Sequence, residues 1–218
     1  MPALVYVPTI VKQLKEFYGD LLWSYDPYPS IKDHLEVNAS RHFEGVKAKT
    51  DCVFVEMNNY NLNCIGKTVD QLKSMRFSEA DSLQTVANEY GFNNWEEIEK
   101  LNPIYDKDFE RATNDVLNGE YKSIEKALMN DKSLVSKRSN YGHRATLLHY
   151  CGSNGVEFWR QQVPKNLINI IGLLLEHGAD KSATMSVYGG EFGVLSLLTT
   201  SAHPEAAGMM EELVGVLE

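Results

Sequence analysis

Gly66-Lys67-Thr68 has the form in which a phosphate-binding loop ends, a lysine placed to meet a phosphate with a hydroxyl behind it. That loop needs an earlier glycine where Asn61 stands, and its flanks are not glycine-rich, so the triplet lacks the amide cradle. His143, His149 and Cys151 are metal-ligand types. His149 and Cys151 are two positions apart, however, and on a helix that spacing points them in different directions. His177, beside Gly178-Ala179-Asp180, and His203, before Pro204, read as surface or capping histidines. The chain has no Gly-x-Ser-x-Gly, no dinucleotide fingerprint and no paired-carboxylate motif. The residues therefore point to a protein that is not an enzyme and holds no metal or cofactor.

The composition of the 218 residues is that of an ordinary folded chain, 43% hydrophobic and 23% charged. A formal net charge of −9 opposes phosphate backbones and anionic lipid, so neither nucleic acid nor membrane is an expected partner. The three cysteines, Cys52, Cys64 and Cys151, are too few and scattered for a disulfide framework and fit a reducing cytoplasm. The N-terminal run is broken by Pro8 and lacks a basic start, so it does not read as a signal peptide. The longest apolar stretch, Leu167 to Leu175, is far shorter than the roughly 20 residues a spanning helix needs.

The C-terminal half repeats itself. Tyr141-Gly142-His143 and Tyr188-Gly189-Gly190 are turn signals 47 residues apart (141 to 188), each followed by an apolar helix start. After the first come Leu148-His149-Tyr150-Cys151, then Ile170 to Leu175, then His177-Gly178-Ala179-Asp180. Upstream, Phe109 and Ala112 lead to Asn118-Gly119, and Ile124, Ala127 and Leu128 to Asp131, the same order without the turn. Downstream, Val194 to Thr200, Ala202-His203-Pro204, and Met209, Leu213 and Leu217 make a third helix pair. Each unit is too small to bury its own apolar face, so the units must stack. The middle one carries an insertion at 156–165, with Pro164 expected to begin the next helix.

Thr146-Leu147-Leu148-His149-Tyr150-Cys151 resembles the Thr-Pro-Leu-His-x-Ala opening of an ankyrin repeat, and Leu173-Leu174-Leu175-Glu176-His177-Gly178-Ala179-Asp180 resembles its close. The resemblance covers about 106–218. It departs at Leu147, which replaces the proline, at Gly193, which replaces a threonine, and in the insertion. It implies a mainly α protein: an ankyrin-repeat α-solenoid of about three repeats after a mostly helical N-terminal region. It also implies a structural role for His149, hydrogen-bonding the backbone of the neighbouring turn.

Residues 78–105 read as two short helices. Ser78 caps the first, which stops at Gly91; Asn94 caps the second, with Trp95, Ile98 and Leu101 as its stripe. A helix-turn-helix fits the spacing, but Glu96, Glu97 and Glu99 would then face phosphate. A LysM-type module lacks its closing strand. The segment also resembles one that precedes the repeats of many bacterial ankyrin proteins, where Tyr90, Phe92 and Trp95 would cap the array. In 1–77, Thr9 to Tyr18 suggests a helix, residues 18–28 an aromatic cluster, and 52–57 with 62–65 a short β-hairpin.

Ankyrin proteins bind partners through their turn tips and concave face. By resemblance the contact residues are Lys137, Arg138, Asn140, Tyr141, His143 and Arg144 at one tip and Tyr188, Glu191 and Phe192 at the next. Tyr141 packing on Tyr188 is the competing reading. In the insertion, Trp159 with Arg160 is either a hot spot or an anchor. The basic tip, opposite five acids and no base in 182–218, suggests a protein partner with an acidic segment. The alternative function is an enzyme or small-ligand domain in 1–77, scaffolded by the repeats.

Overall fold

The computed structural model describes residues 3–218. The protein is mainly helical, with two small antiparallel sheets. It forms two compact units, one of residues 12–105 and one of residues 3–11 with 106–218. The chain starts with strand β1 (Val5–Tyr6), and the first division falls inside the helix that follows, α1 (Thr9–Tyr18).

In the unit of 12–105, α1 is followed by α2 (Ile31–Ala48), α3 (Asp51–Tyr60), α4 (Val69–Ser74), α5 (Glu79–Glu89) and α6 (Trp95–Leu101). Their ends are set by local chemistry. Ser30 caps α2 by accepting from the Asp33 amide, Thr68 and Gln71 form a reciprocal box on α4, and Asn94 accepts from the Glu97 amide on α6. α5 lies against both α2 and α3. Residues 78–105 are thus an integral part of this unit, with Tyr90 and Phe92 buried in it, and not a segment apart as expected.

The hairpin expected at 52–57 and 62–65 is a correction: 51–60 is helix α3. Cys52-Val53-Phe54-Val55 has the β-branched and aromatic content of a strand. Tertiary packing overrides that preference, because Val53, Phe54 and Met57 are all buried on two sides of a helix. Gly66-Lys67-Thr68 is likewise structural. Gly66 turns with φ 79°, Lys67 Nζ donates to the Asn63 carbonyl, and Thr68 caps α4.

The second unit contains α7 (Lys107–Asn118), α8 (Tyr121–Asn130), α9 (Leu147–Tyr150), β2 (Val163–Pro164), α10 (Leu167–Glu176), β3 (Thr184–Val187), β4 (Gly190–Gly193), α11 (Val194–Thr200), α12 (Ala202–Ala206) and α13 (Met210–Leu217). One continuous core, including Phe109, Ile124, Leu148, Ile170, Leu197 and Leu213, runs through all of it. The helices pack in two rows: α7 on α9 and α9 on α11, beside α8 on α10 and α10 on α13. Pro164 does not open a helix. It lies in β2, antiparallel to β1, and α10 begins three residues later. Proline's missing donor is tolerated in so short an edge pairing, where Lys165 N donates to Leu4 O instead. The unit of 106–218 also takes in residues 3–11, which carried no sequence sign of it.

Candidate functional site

The two expected tips are joined by backbone. Ser186 N of β3 donates to the His143 carbonyl (3.0 Å), and one Arg138 amino group donates to the carbonyls of Arg144 (2.9 Å) and Thr184 (2.7 Å). β3 and β4 form a two-residue hairpin turning at Tyr188 and Gly189, both with positive φ (55° and 74°). That backbone suits asparagine or glycine at its first position, so a tyrosine there costs about 1 kcal/mol or more. Tyr188 is 60% exposed; its hydroxyl donates to Asn154 Oδ1 (2.7 Å) and its ring stands edge-on to Phe192. Glu191 accepts from Thr184 (2.9 Å) and from Ser186, which holds its carboxyl below the usual range. Arg144 is exposed, has φ 57°, and reaches Asn140 Oδ1 at 3.4 Å.

Other expected contact residues are turned inward, which corrects the sequence reading. Tyr141 and His143 are buried, as are Trp159 and Arg160 in the insertion, so none of the four offers a contact face. Lys137 bridges Asp106 and Asp131, each at 3.1 Å, and that internal pairing, with Arg138 held on carbonyls, spends much of the basic charge expected at the tip. Trp159 is the anchor of the two readings, lying under the Arg160 guanidinium at 4.6 Å.

The insertion supplies what the sequence did not suggest, a closed polar cluster. Arg160 donates to Glu157 (2.8 Å), Glu110 (2.7 Å) and Asn114 (3.1 Å), and Tyr150 donates to Glu157 (3.3 Å). His143 Nε2 faces the other Glu157 oxygen at 3.7 Å. Burial pushes Glu110 up to about 7, only partly opposed by Arg160. Burial acts on Glu157 in the same direction, but Arg160 and then His143 outweigh it and bring it down to about 2. The cluster is therefore one carboxylate on a guanidinium, with a second carboxyl that keeps its proton up to neutral pH. The one visible signal was the i, i+3 spacing of Glu157 and Arg160.

His149 does the structural work its motif implied. Its Nδ1 lies 3.1 Å from the Thr146 amide, closing a capping box on α9, and its Nε2 lies 3.0 Å from the Ala183 carbonyl at the base of the next hairpin. That arrangement puts the ring proton on Nε2. Burial brings the imidazole down to about 4, so it is neutral.

In the other unit, Tyr18 donates to both oxygens of Glu56 (3.0 and 2.9 Å). Burial, and then Glu89, raise Glu56 well above the carboxylate range. This pair of carboxyls joins α3 to α5, a grouping not visible in sequence, and Glu56 is 1% exposed. No group of three His, Cys, Asp or Glu among the described residues could hold a metal ion, and no helix among them is long and apolar enough to cross a membrane. Comparison with family models, curated proteins and solved structures finds no match to the chain.

Proposed function

We propose that residues 106–218 are an ankyrin-like α-solenoid that binds a protein partner through the β3–β4 tip and the adjoining 138–144 turn, without catalysis. The observation that carries this reading is the His149 bridge: the histidine of Thr146-Leu147-Leu148-His149 caps its own helix and holds the next hairpin, as the motif requires. The two helix rows support it, as does the Ser186 amide bonded to the His143 carbonyl, which holds the two turns together. The contact residues are then Tyr188, Phe192 and Arg144. An exposed aromatic and an arginine are residue types that dominate interface energies. An acidic group on the partner would meet Arg144, since Lys137 and Arg138 have internal duties. The strained backbone at Tyr188 fits a residue kept for binding, because asparagine would suit the turn better.

The test compares immobilised wild-type protein with a Tyr188→Asn, Arg144→Glu variant in cross-linked capture from the native cell. Proteins held by the wild type should be lost from the variant while its circular dichroism stays unchanged. An identical set of captured proteins overturns the reading.

A further inference from the structure

The buried cluster and the tip surface meet at His143. Its ring Nδ1 accepts the Ala145 amide (3.1 Å), which fixes the ring proton on Nε2, facing Glu157. Its carbonyl accepts the Ser186 amide of β3. One residue thus touches the buried charges with its side chain and the exposed hairpin with its backbone.

The groups around Glu110 are Arg160 and Glu157 from the insertion, Tyr150 from α9 and Asp106 at the N-terminus of α7, with His143 of the turn against Glu157. Among Arg160, Glu157, Glu110 and His143, one proton on Glu110 balances the charge. Raising the pH removes that proton and leaves a net negative charge in a dry site, which loosens the packing of the insertion on α7. The 139–146 turn meets the cluster through His143 and, at Ser139, through Tyr150, so it keeps its support while the cluster carries that proton and loses it when the proton leaves.

We propose that the proton count of the Glu110–Arg160–Glu157–His143 cluster regulates the order of the 139–146 turn and the β3–β4 hairpin, and with it the binding surface. This inference rests on the proposed function for the meaning of that surface, but the device itself is tested without a partner.

The experiment is nuclear magnetic resonance of the whole chain from roughly pH 5 to 8.5, reading the His143 ring nitrogens, the Ala145 amide and the amides of 184–187. The expected result is an unprotonated Nδ1 at neutral pH. Ala145 and the hairpin amides should shift together, with exchange protection falling by up to about tenfold per pH unit on the alkaline side, as for one linked proton. Glu110→Gln, a permanently neutral stand-in for the protonated carboxyl, should abolish this alkaline limb. A proton on Nδ1 in the wild type at neutral pH overturns the proposal, even where the variant fails to fold. So does a hairpin that titrates independently of Ala145, or an alkaline limb that persists in Glu110→Gln. Failure here leaves the capture result untouched, and failure of capture leaves this titration interpretable.

Discussion

Gly119 holds two tasks that one added methyl would undo. It ends α7 with φ 75°, and a Cβ there would lie 2.5 Å from both the Ala3 Cβ and Asn166 Oδ1. The left-handed backbone costs about 1 kcal/mol for an L side chain, and the overlap about 1–3 more. Gly119→Ala should therefore lower the chemical denaturation midpoint and release residues 3–6, seen as lost amide protection at Tyr6. Gly172, inside α10 with nothing within 4 Å of its added Cβ, is the control: Gly172→Ala should stabilise by up to about 1 kcal/mol. Equal effects at both positions would contradict the close approach at Gly119. The same scale explains why the buried cluster could not be read from sequence. An arginine is presumed exposed, and the second carboxyl on Arg160 comes from Glu110, 50 residues earlier. His149 was legible because its task is local, fixed by a cap three residues away and one neighbouring turn.

At the scale of elements, the sequence was readable wherever a cap or a stop fixed a helix end. Thr9 to Tyr18, the Ser78 and Asn94 starts, the Gly91 stop and Val194 to Thr200 all stand where those signals put them. It misled where packing chose between two periods. The strand-like run at 52–57 is helical because α2 offers it a glycine: a Cβ on Gly45 would sit 2.5 Å from Val53 Cγ2 and 2.7 Å from Phe17 Cζ. Three helices, α1, α2 and α3, meet over that one missing side chain. Gly45→Ala gains helix propensity worth about 1 kcal/mol but forces a clash costing about 1–3 kcal/mol. The net should be destabilising, and Gly45→Ala with Val53→Ala should recover part of the loss in thermal unfolding. Recovery absent from the double variant would mean that Val53 is not what Gly45 accommodates. The insertion escaped for a related reason. Its residues were assigned to a connector, yet Val156 to Pro164 is buried throughout, because β2 pairs with β1 and Arg160 reaches α7.

For the whole molecule, each unit carries the same pair of opposed titrations. Each buries a carboxyl that prefers its proton, Glu56 in one and Glu110 in the other, and an imidazole that prefers to be neutral, His42 at about 3 and His149 at about 4. The carboxyls bind a proton more tightly when folded, so their contribution is full below the usual value of 4.5 and is lost as the pH rises, for Glu110 through about 7. The imidazoles bind it less tightly when folded, so theirs is full above 6.5 and is lost as the pH falls toward about 4 and 3. Glu157, lowered to about 2, adds a loss below 4.5. The two slopes oppose each other between 4.5 and 6.5, which places maximum stability at weakly acidic pH, and the net charge of −9 at neutral pH, which is farther from zero, acts in the same direction. Stability across this range, read for each unit by its own amide protection, should show a dome in both units. Glu110→Gln should flatten the neutral side only for the unit of 106–218, and Glu56→Gln only for the unit of 12–105. A stability that climbs steadily to alkaline pH would show that the two carboxyls ionise freely in the folded chain, and that the charges around Arg160 are compensated from elsewhere.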